Sequence, residues 1–514
     1  MRRLEMEFAA ELALVRPDLS ARYAEALPGA RAAVLGRLWR SLLYEPLPGL
    51  TPSGPGRVVL ADGRRLTGRA RLPHDLGDEL ALLLDGHPHT HPAELLAALG
   101  LPGTARLVED LGNSVASLAL SRAGASGAPP GTPDAYEQSV VDGHPYHPGC
   151  RNRPGVSVAE QLAYMPEHRP TVRLDLLAVP AGDCLVSGPW PGSLMDGDRL
   201  LLPLHPWQTR HVLPVLGLRP YAMGVIPARP LMSVRTLAPL DGSPHVKTAF
   251  TTRMTSGVRD ISPGSVRDCV LLSDLLTTLS ARCGGRLRIS RYLAGAAAPV
   301  SGEYSADLSA MLREPTPRPG TVLPVAAVTR AMAPDPVAWI GAFARLALAG
   351  ALGMLALGAA LEAHGQNLLI ELGADGLPSR LIYRDLADVR LSPARLARNG
   401  VEVPPVSTRL LSDDPFVLHS KLFGSLVGTT FGSVISLFGQ GDREAESRLW
   451  HVVTAAARTA FDDLPGTQDV QTDRAALFAP RLAVKAHLLA QLDGAPPGDS
   501  WTRLPNPLTS EVPV

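Results

Sequence analysis

Apolar residues recur along this chain with two different periods, and the change of period divides it. Over the first hundred residues they fall three and four apart, as in Phe8 to Val15 and Ala21 to Leu43. That spacing predicts helices, broken by the Pro- and Gly-rich stretch Pro46 to Gly56. The tract Ala123 to Gly131, made of Gly, Ala, Ser and Pro, reads as a linker and marks the first boundary. From about Ser157 to Phe250 short apolar runs alternate with turn residues: Val172 to Val179, Arg199 to Leu204, and Ser233 to Leu237 with Val246 to Thr252. This is the pattern of antiparallel sheet. A helical period resumes after Pro263. From about Pro336 long amphipathic or wholly apolar helices dominate, interrupted by a hairpin after Asn367. No repeat of fixed period is present, and the Pro-rich end, Asp493 to Val514, is expected to trail over the surface. The expectation is an α+β chain with a helical region 1–135, a β-rich region 136–320 and a helical region 321–514.

The apolar pattern stops most abruptly after Leu361. No residue from Leu346 to Leu361 is charged, and then Glu362, His364, Gln366 and Asn367 follow in close order. Such groups are costly to bury unpaired, so an oxygen-rich ligand or a metal ion would give them partners. Leu368 to Leu372 reads as a strand, Ala374-Asp375-Gly376 as a turn and Arg380 to Tyr383 as the returning strand. The hairpin therefore carries Arg384-Asp385 back beside Gln366 and Asn367. Glu362, Gln366 and Asp385 are hard oxygen ligands of the kind that hold Mg²⁺ while nucleotide phosphates complete its shell. Helix, polar loop, hairpin, then Asp is also the order in which kinase-like sites hold Mg·ATP. A buried network with a purely structural role is the plainer alternative.

A second constellation is cationic. Asp241-Gly242 is a good turn dipeptide midway between Arg235 and Lys247, so the flanks are expected to pair as a hairpin. A register symmetrical about Asp241 would set Arg235 opposite Lys247, with Ser233, Arg235, Lys247 and Ala249 on one face. Like charges opposed on a sheet are destabilising unless an anion lies between them, and Arg with Lys suits phosphate. Thr255-Ser256-Gly257 reads as the entry to a helical turn carrying Arg259, whose N-terminus would add a second anion site. Both cations pointing into water is the alternative here.

Composition narrows the classes. Lys plus Arg equals Asp plus Glu at 49 each, so no global charge draws the chain to nucleic acid or membrane. Cys150, Cys184, Cys269 and Cys283 fit no zinc spacing and read as free thiols of a reducing, cytoplasmic compartment. The N-terminal residues lack the apolar core of a signal peptide, and the run to Leu361 falls short of the ~20 residues of a spanning helix. That run, rich in Ala and Gly, reads as a buried helix packed closely against its neighbours.

Gly143-His144-Pro145-Tyr146-His147-Pro148 is a rigid loop, because its prolines forbid regular helix or central strand. Without further ligands it reads as a preorganised support for an active site rather than a zinc centre. Leu204-His205-Pro206-Trp207-Gln208 ends a strand in similar fashion. His87, His89 and His91 read as an exposed turn between helices. No nucleophilic triad is evident.

Taken in order, the Gly143–Pro148 loop with Arg151, Arg153 and Gly155, then His205 to Gln208, Ser233 to Thr236, His364 to Asn367 and Arg384-Asp385, resemble the NRPS-independent siderophore (NIS) synthetases, of which the aerobactin synthetases are the name-giving members. The motifs extend from about residue 137 to 390. The resemblance implies a hand-like fold with a helical thumb, β-rich fingers and a helical, kinase-like palm. It also implies ATP-dependent condensation of a carboxylic acid with an amine or alcohol through an acyl-adenylate. Carried over by position, Ser233, Arg235, Thr236 and Lys247 would hold ATP, with His144 and Asn367 beside it. Thr255, Arg259 and His364 would orient the acid, Lys247 would also serve the chemistry, and Glu362, Gln366 and Asp385 would hold Mg²⁺. Arg151 departs from the resemblance, standing where many members have Lys. A homodimer is a further expectation. A kinase-like phosphotransferase and a non-catalytic nucleotide or citrate binder remain as other readings.

Overall fold

The helical period at the start of the chain becomes the helices Arg3–Val15 and Ser20–Tyr44, which pack with Ala105–Gly124 around Leu35, Leu38, Trp39 and Leu118. The computed structural model describes residues 2–255, 257–317, 320–493 and 499–509. The first hundred residues are not helical throughout. Leu50–Gly54, Arg57–Leu60, Arg65–Thr67, Leu82–Leu84 and His87–His89 form a five-stranded antiparallel sheet. Strands this short are too brief for alternation to show in sequence. His87 to His91 is therefore an edge strand followed by a helix cap, in which buried His91 accepts from Ala93 N at 3.2 Å through Nδ1. The tract 123–131 begins inside the Ala105–Gly124 helix and continues as loop to Pro133–Gln138.

A nine-stranded antiparallel sheet dominates the middle of the chain. In spatial order its strands are Leu185–Ser187, Tyr292–Val300, Glu303–Arg313, His245–Thr248, Thr236–Pro239, Ala222–Pro230, Val172–Pro180, Arg199–Leu204 and Met195–Asp196. Two of its long strands come from 292–313, beyond the helix Pro263–Arg282 that packs against the sheet. The Ala-rich run Ala294 to Ala298 carries little β signal, and its place in the sheet follows from close packing under that helix. The 250–259 segment is a hairpin, Phe250–Met254 with Gly257–Arg259, not the helical turn expected from Thr255-Ser256-Gly257, of which Ser256 lies outside the described residues.

In the last region Pro336–Leu357 packs on Arg443–Asp462 and on the hairpin Leu368–Leu372/Pro378–Tyr383. That hairpin sits in a four-stranded sheet with Thr321–Pro324 and the parallel strand Leu287–Ile289. Pro336–Leu357 and Pro415–Gly439 are long and apolar enough to cross a membrane, yet 72% and 78% of their apolar windows are buried inside the fold. Burial among protein neighbours accounts for helices that are apolar all round. Close packing explains the glycines: a Cβ on Gly353 would lie 2.9 Å from Cys283 Sγ. The C-terminal end does not simply trail. Trp501–Pro505 pairs with Arg481–Lys485, and Leu504 and Leu508 are buried, while 494–498 and 510–514 lie outside the described residues. The four cysteines are free.

Candidate functional site

The sheet contributes one wall. Thr236 pairs with Lys247 and Leu237 with Val246, so the hairpin axis falls between Asp241 and Gly242 rather than on Asp241. Because side chains alternate, this small shift exchanges faces. Thr236, not Arg235, is opposite Lys247, and the expected pair of opposed cations does not form. Lys247 lies opposite Met311, and Arg313 opposite both His245 and Tyr292. Thr236, Lys247, Arg313 and Tyr292 thus share a face. Arg235 stands just outside the strand, its Nη1 donating to Asp260 O. Before it Leu231 to Val234 make a tight turn, with Val234 N donating to Leu231 O at 2.8 Å and Val234 at φ 65°. Ser233 lies in that turn.

The opposite wall is the polar loop. The apolar helix ends at Leu357 with Gly358 in the left-handed region, and a two-residue strand, Ala359–Ala360, intervenes before Glu362. The cluster therefore follows a strand, not the helix end itself. Gln366 N donates to His364 Nδ1 at 3.3 Å, Asn367 N to His364 O at 2.9 Å, and Asn367 Nδ2 to Glu362 O at 3.1 Å. The hairpin returns as expected: Leu368 pairs with Tyr383, and Arg384 N donates to Asn367 O at 3.0 Å. Asp385 then turns through φ 68°.

The two walls meet at Lys247 and Asp385. Lys247 Nζ donates to Asp385 Oδ1, and Tyr292 OH donates to the same oxygen at 3.1 Å. Burial pushes the Lys247 ammonium down to about 8, with Asp385 opposing the fall and Arg235 adding to it. Burial alone would raise the Asp385 carboxyl, but Lys247, then Arg235 and Arg313, hold it well below the carboxylate range. Arg259 is pushed down to about 10 by burial and by Arg235. Its Nη2 donates to Met254 O at 2.8 Å, beside Thr255 at φ 59°. Burial also lowers His364, against the pull of Glu362 and Asp385. His144 is held well below its ordinary value by burial, then by His147 and His364. Seven described non-glycine residues take positive φ, and three of them, Val234, Thr255 and Asp385, sit here. Strained backbone gathers where a site over-determines it.

The twelve residues singled out in sequence therefore surround one region, with altered partners. Neither His144 nor His147 is placed as a metal ligand: each Nδ1 accepts backbone N–H groups of the loop, and the rings pack with His487, 4.5 Å from His144 between centroids. Arg151 turns away, donating to Val140 O and Val141 O. Gln208 pins the neighbouring strand, its Oε1 accepting from Thr251 N at 2.7 Å. Among the described residues a His/carboxylate group close enough for one ion, His74, Asp75 and Glu446, lies elsewhere, and Arg443 already binds both of its carboxylates. At the cleft, Asp385, Glu362 and the Gln366 amide are oxygen donors that fit a hard cation shared with phosphate. The Glu362 carboxylate is held by Lys421 at 3.2 Å and the Asp385 carboxylate by Lys247.

Sequence reasoning missed several residues. Lys421 bridges Glu362 and Asp499, each at 3.2 Å, and Asp499 reaches Lys485 at 2.6 Å. A signal was present: of the 49 basic residues 3 are lysines, Lys247, Lys421 and Lys485, and all belong to this cleft. Lys247 and Lys421 are buried beside their carboxylates, while Lys485 is more exposed. Tyr292, Glu137 and Arg313 carried no local signal. Arg313 is 3% exposed, and its Nε has no hydrogen-bond partner among the described residues. Thr236 Oγ1 is in the same position. Buried polar atoms left without partners call for an explanation, and on the face shared with Lys247 a ligand or an ordered water would supply one.

The pattern of the IucA / IucC family matches residues 132–330, and that of a family described as ferric iron reductase FhuF-like transporter matches 337–496. Staphyloferrin A synthase of Staphylococcus aureus is 22% identical over 73% of this chain and 73% of its own length. D-ornithine–citrate ligase of the same organism is 22% identical over 74% of this chain and 71% of its own. The structure of ATP-bound aerobactin synthetase IucA from Klebsiella pneumoniae superposes with a TM-score of 0.74 at 21% identity, over 93% of this chain and all of the other (100%). This last likeness is one of fold.

Proposed function

The chain belongs to the IucA / IucC family, and on that premise we propose that it is an ATP-dependent NIS siderophore synthetase joining a citrate-type carboxylic acid to an amine or alcohol. The observation that carries the reading is the Lys247–Asp385 contact, which closes the cationic sheet face onto the polar loop across 138 residues of sequence. On this reading 1–135 is the thumb, 136–320 the fingers and 321–514 the palm.

Ser233, Arg235, Thr236 and Lys247, with His144 and Asn367, would bind the ATP phosphates. Glu362, Gln366 and Asp385 would hold Mg²⁺, which when bound supplies charge neutralisation at the phosphates. Thr255, Arg259 and His364 would hold the acid with one carboxylate oxygen facing the α-phosphorus. That oxygen forms the new O–P bond as the bond to pyrophosphate breaks, giving acyl-adenylate. The amine or hydroxyl then adds to the acyl carbon, loses its proton, and AMP leaves. Positioning and charge placement suffice for both steps, and no covalent enzyme intermediate is needed.

Acid-dependent exchange of labelled pyrophosphate into ATP tests this. Exchange with citrate or a citrate monoamide, and AMP on adding an amine, are the expected results. ADP as product would replace the reading with a phosphotransferase, and binding without turnover with a non-catalytic protein.

Lys247 sets a pH dependence. Its ammonium is charged below about 8, so kcat/KM for ATP should be level up to that point and fall about tenfold per unit above it. Lys247→Arg should remove the fall. Linkage separates this from unfolding. The folded value lies below the ~10.4 of an unfolded lysine, so this group adds stability as pH rises between the two. A melting temperature that drops in step with activity above pH 8 would refute the assignment.

A further inference from the structure

Glu137 and Arg384 stand 247 residues apart and form a bidentate ion pair at the back of the cleft, 2% and 4% exposed. Every other side-chain hydrogen bond of the pair lands on one of the two loops proposed above for phosphate and metal. Met232 N, in the Leu231–Val234 turn, donates to Glu137 Oε2 at 3.1 Å, and neighbouring Gln138 donates to Pro230 O at 3.1 Å. Arg384 Nε donates to Gln366 O at 3.1 Å, and Arg384 is joined by its backbone to Asn367 and followed by Asp385. The pair thus grips both strained turns, at Val234 and at Asp385, from behind. Strain of this kind persists only where surrounding bonds over-determine the backbone. Burying an ion pair is a poor way to gain stability, because desolvation offsets the attraction, so its use here points to geometry.

We propose that Glu137 and Arg384 are positioning residues: their pair fixes the separation of the phosphate turn from the polar loop, and with it the placement of Asp385, Gln366 and Glu362 around a Mg·ATP ligand. This rests on the functional reading above, and it acts through those residues rather than by contact with substrate. Partners that orient metal ligands from behind typically govern affinity for the ion as strongly as some ligands do.

The test is calorimetric ATP binding with and without Mg²⁺, in the absence of any acid, for wild type, Glu137→Gln and Arg384→Lys. The gain in ATP affinity on adding Mg²⁺ should shrink about 10–100-fold in either variant, with Mg²⁺-free affinity changed less than about threefold. Should Glu137→Gln fail to fold, Glu137→Asp keeps the charge and retracts the carboxylate, and it should show the same loss. A folded variant with the wild-type Mg²⁺ gain would overturn the role. So would equal losses with and without the ion, which mark general damage to the loops. Wild-type protein without Mg²⁺-enhanced ATP binding would overturn the functional reading, and this role with it.

Discussion

Asp385→Ala should lower kcat/KM for ATP by at least about 10³-fold, or ~4 kcal/mol of transition-state stabilisation, at every Mg²⁺ concentration. Two losses combine. The carboxylate proposed to hold the ion is gone, and Lys247 loses the group that keeps its buried ammonium charged. Without that partner the lysine falls further below about 8, so that near neutral pH a growing share of it is neutral when phosphate arrives. Asp385→Asn separates the two losses from a packing effect, because it keeps the shape and an oxygen for Tyr292 OH while removing the charge. Pyrophosphate exchange across a Mg²⁺ series is the measurement. Either variant keeping more than about a tenth of wild-type activity, a deficit under ~1.4 kcal/mol, would sink the metal role.

Arg259→Ala should abolish acid-dependent exchange, by about 10²-fold or more, while ATP affinity changes by less than about threefold. Arg259 keeps its charge at neutral pH even though burial and Arg235 push it down to about 10. On the proposed assignment the phosphate contacts are made by Ser233, Arg235, Thr236 and Lys247, all of which the variant keeps, so ATP affinity should change little. The acid side loses the cation next to Thr255, with His364 already held toward its neutral form by burial. Equilibrium ATP binding and exchange are measured on the same protein. A collapse of ATP affinity would transfer Arg259 to the phosphates.

Much of this site was legible because its parts are local. The hairpin from Leu368 to Tyr383 follows from two short apolar runs flanking an Asp-Gly turn, and it returns Asp385 beside Asn367 as the pattern requires. The Arg235–Lys247 hairpin was legible as a hairpin but not in register. Its axis lies half a residue from the symmetrical position, and that distance is enough to replace Arg235 by Thr236 on the shared face. The short strands at 50–89 and the Ala-rich strand at 292–300 were missed for opposite reasons: the former are too brief to show a period, the latter too small-sided to show a preference. The C-terminal strand Trp501–Pro505 was hidden by its proline-rich surroundings.

The sequence by itself determined the α+β class, the family likeness and the polar loop after the apolar run, and it supplied the groups proposed above to meet phosphate, acid and metal. Local periodicity and ordered motifs are properties of neighbouring residues, so they survive without a fold. The tertiary structure alone decided which charges neutralise one another. Lys247 meets Asp385, Glu137 meets Arg384, and Lys421 joins Glu362 to Asp499, all between segments distant in the chain. Electrostatic energy depends on separation in space and on burial, neither of which sequence spacing encodes once the chain has turned back on itself.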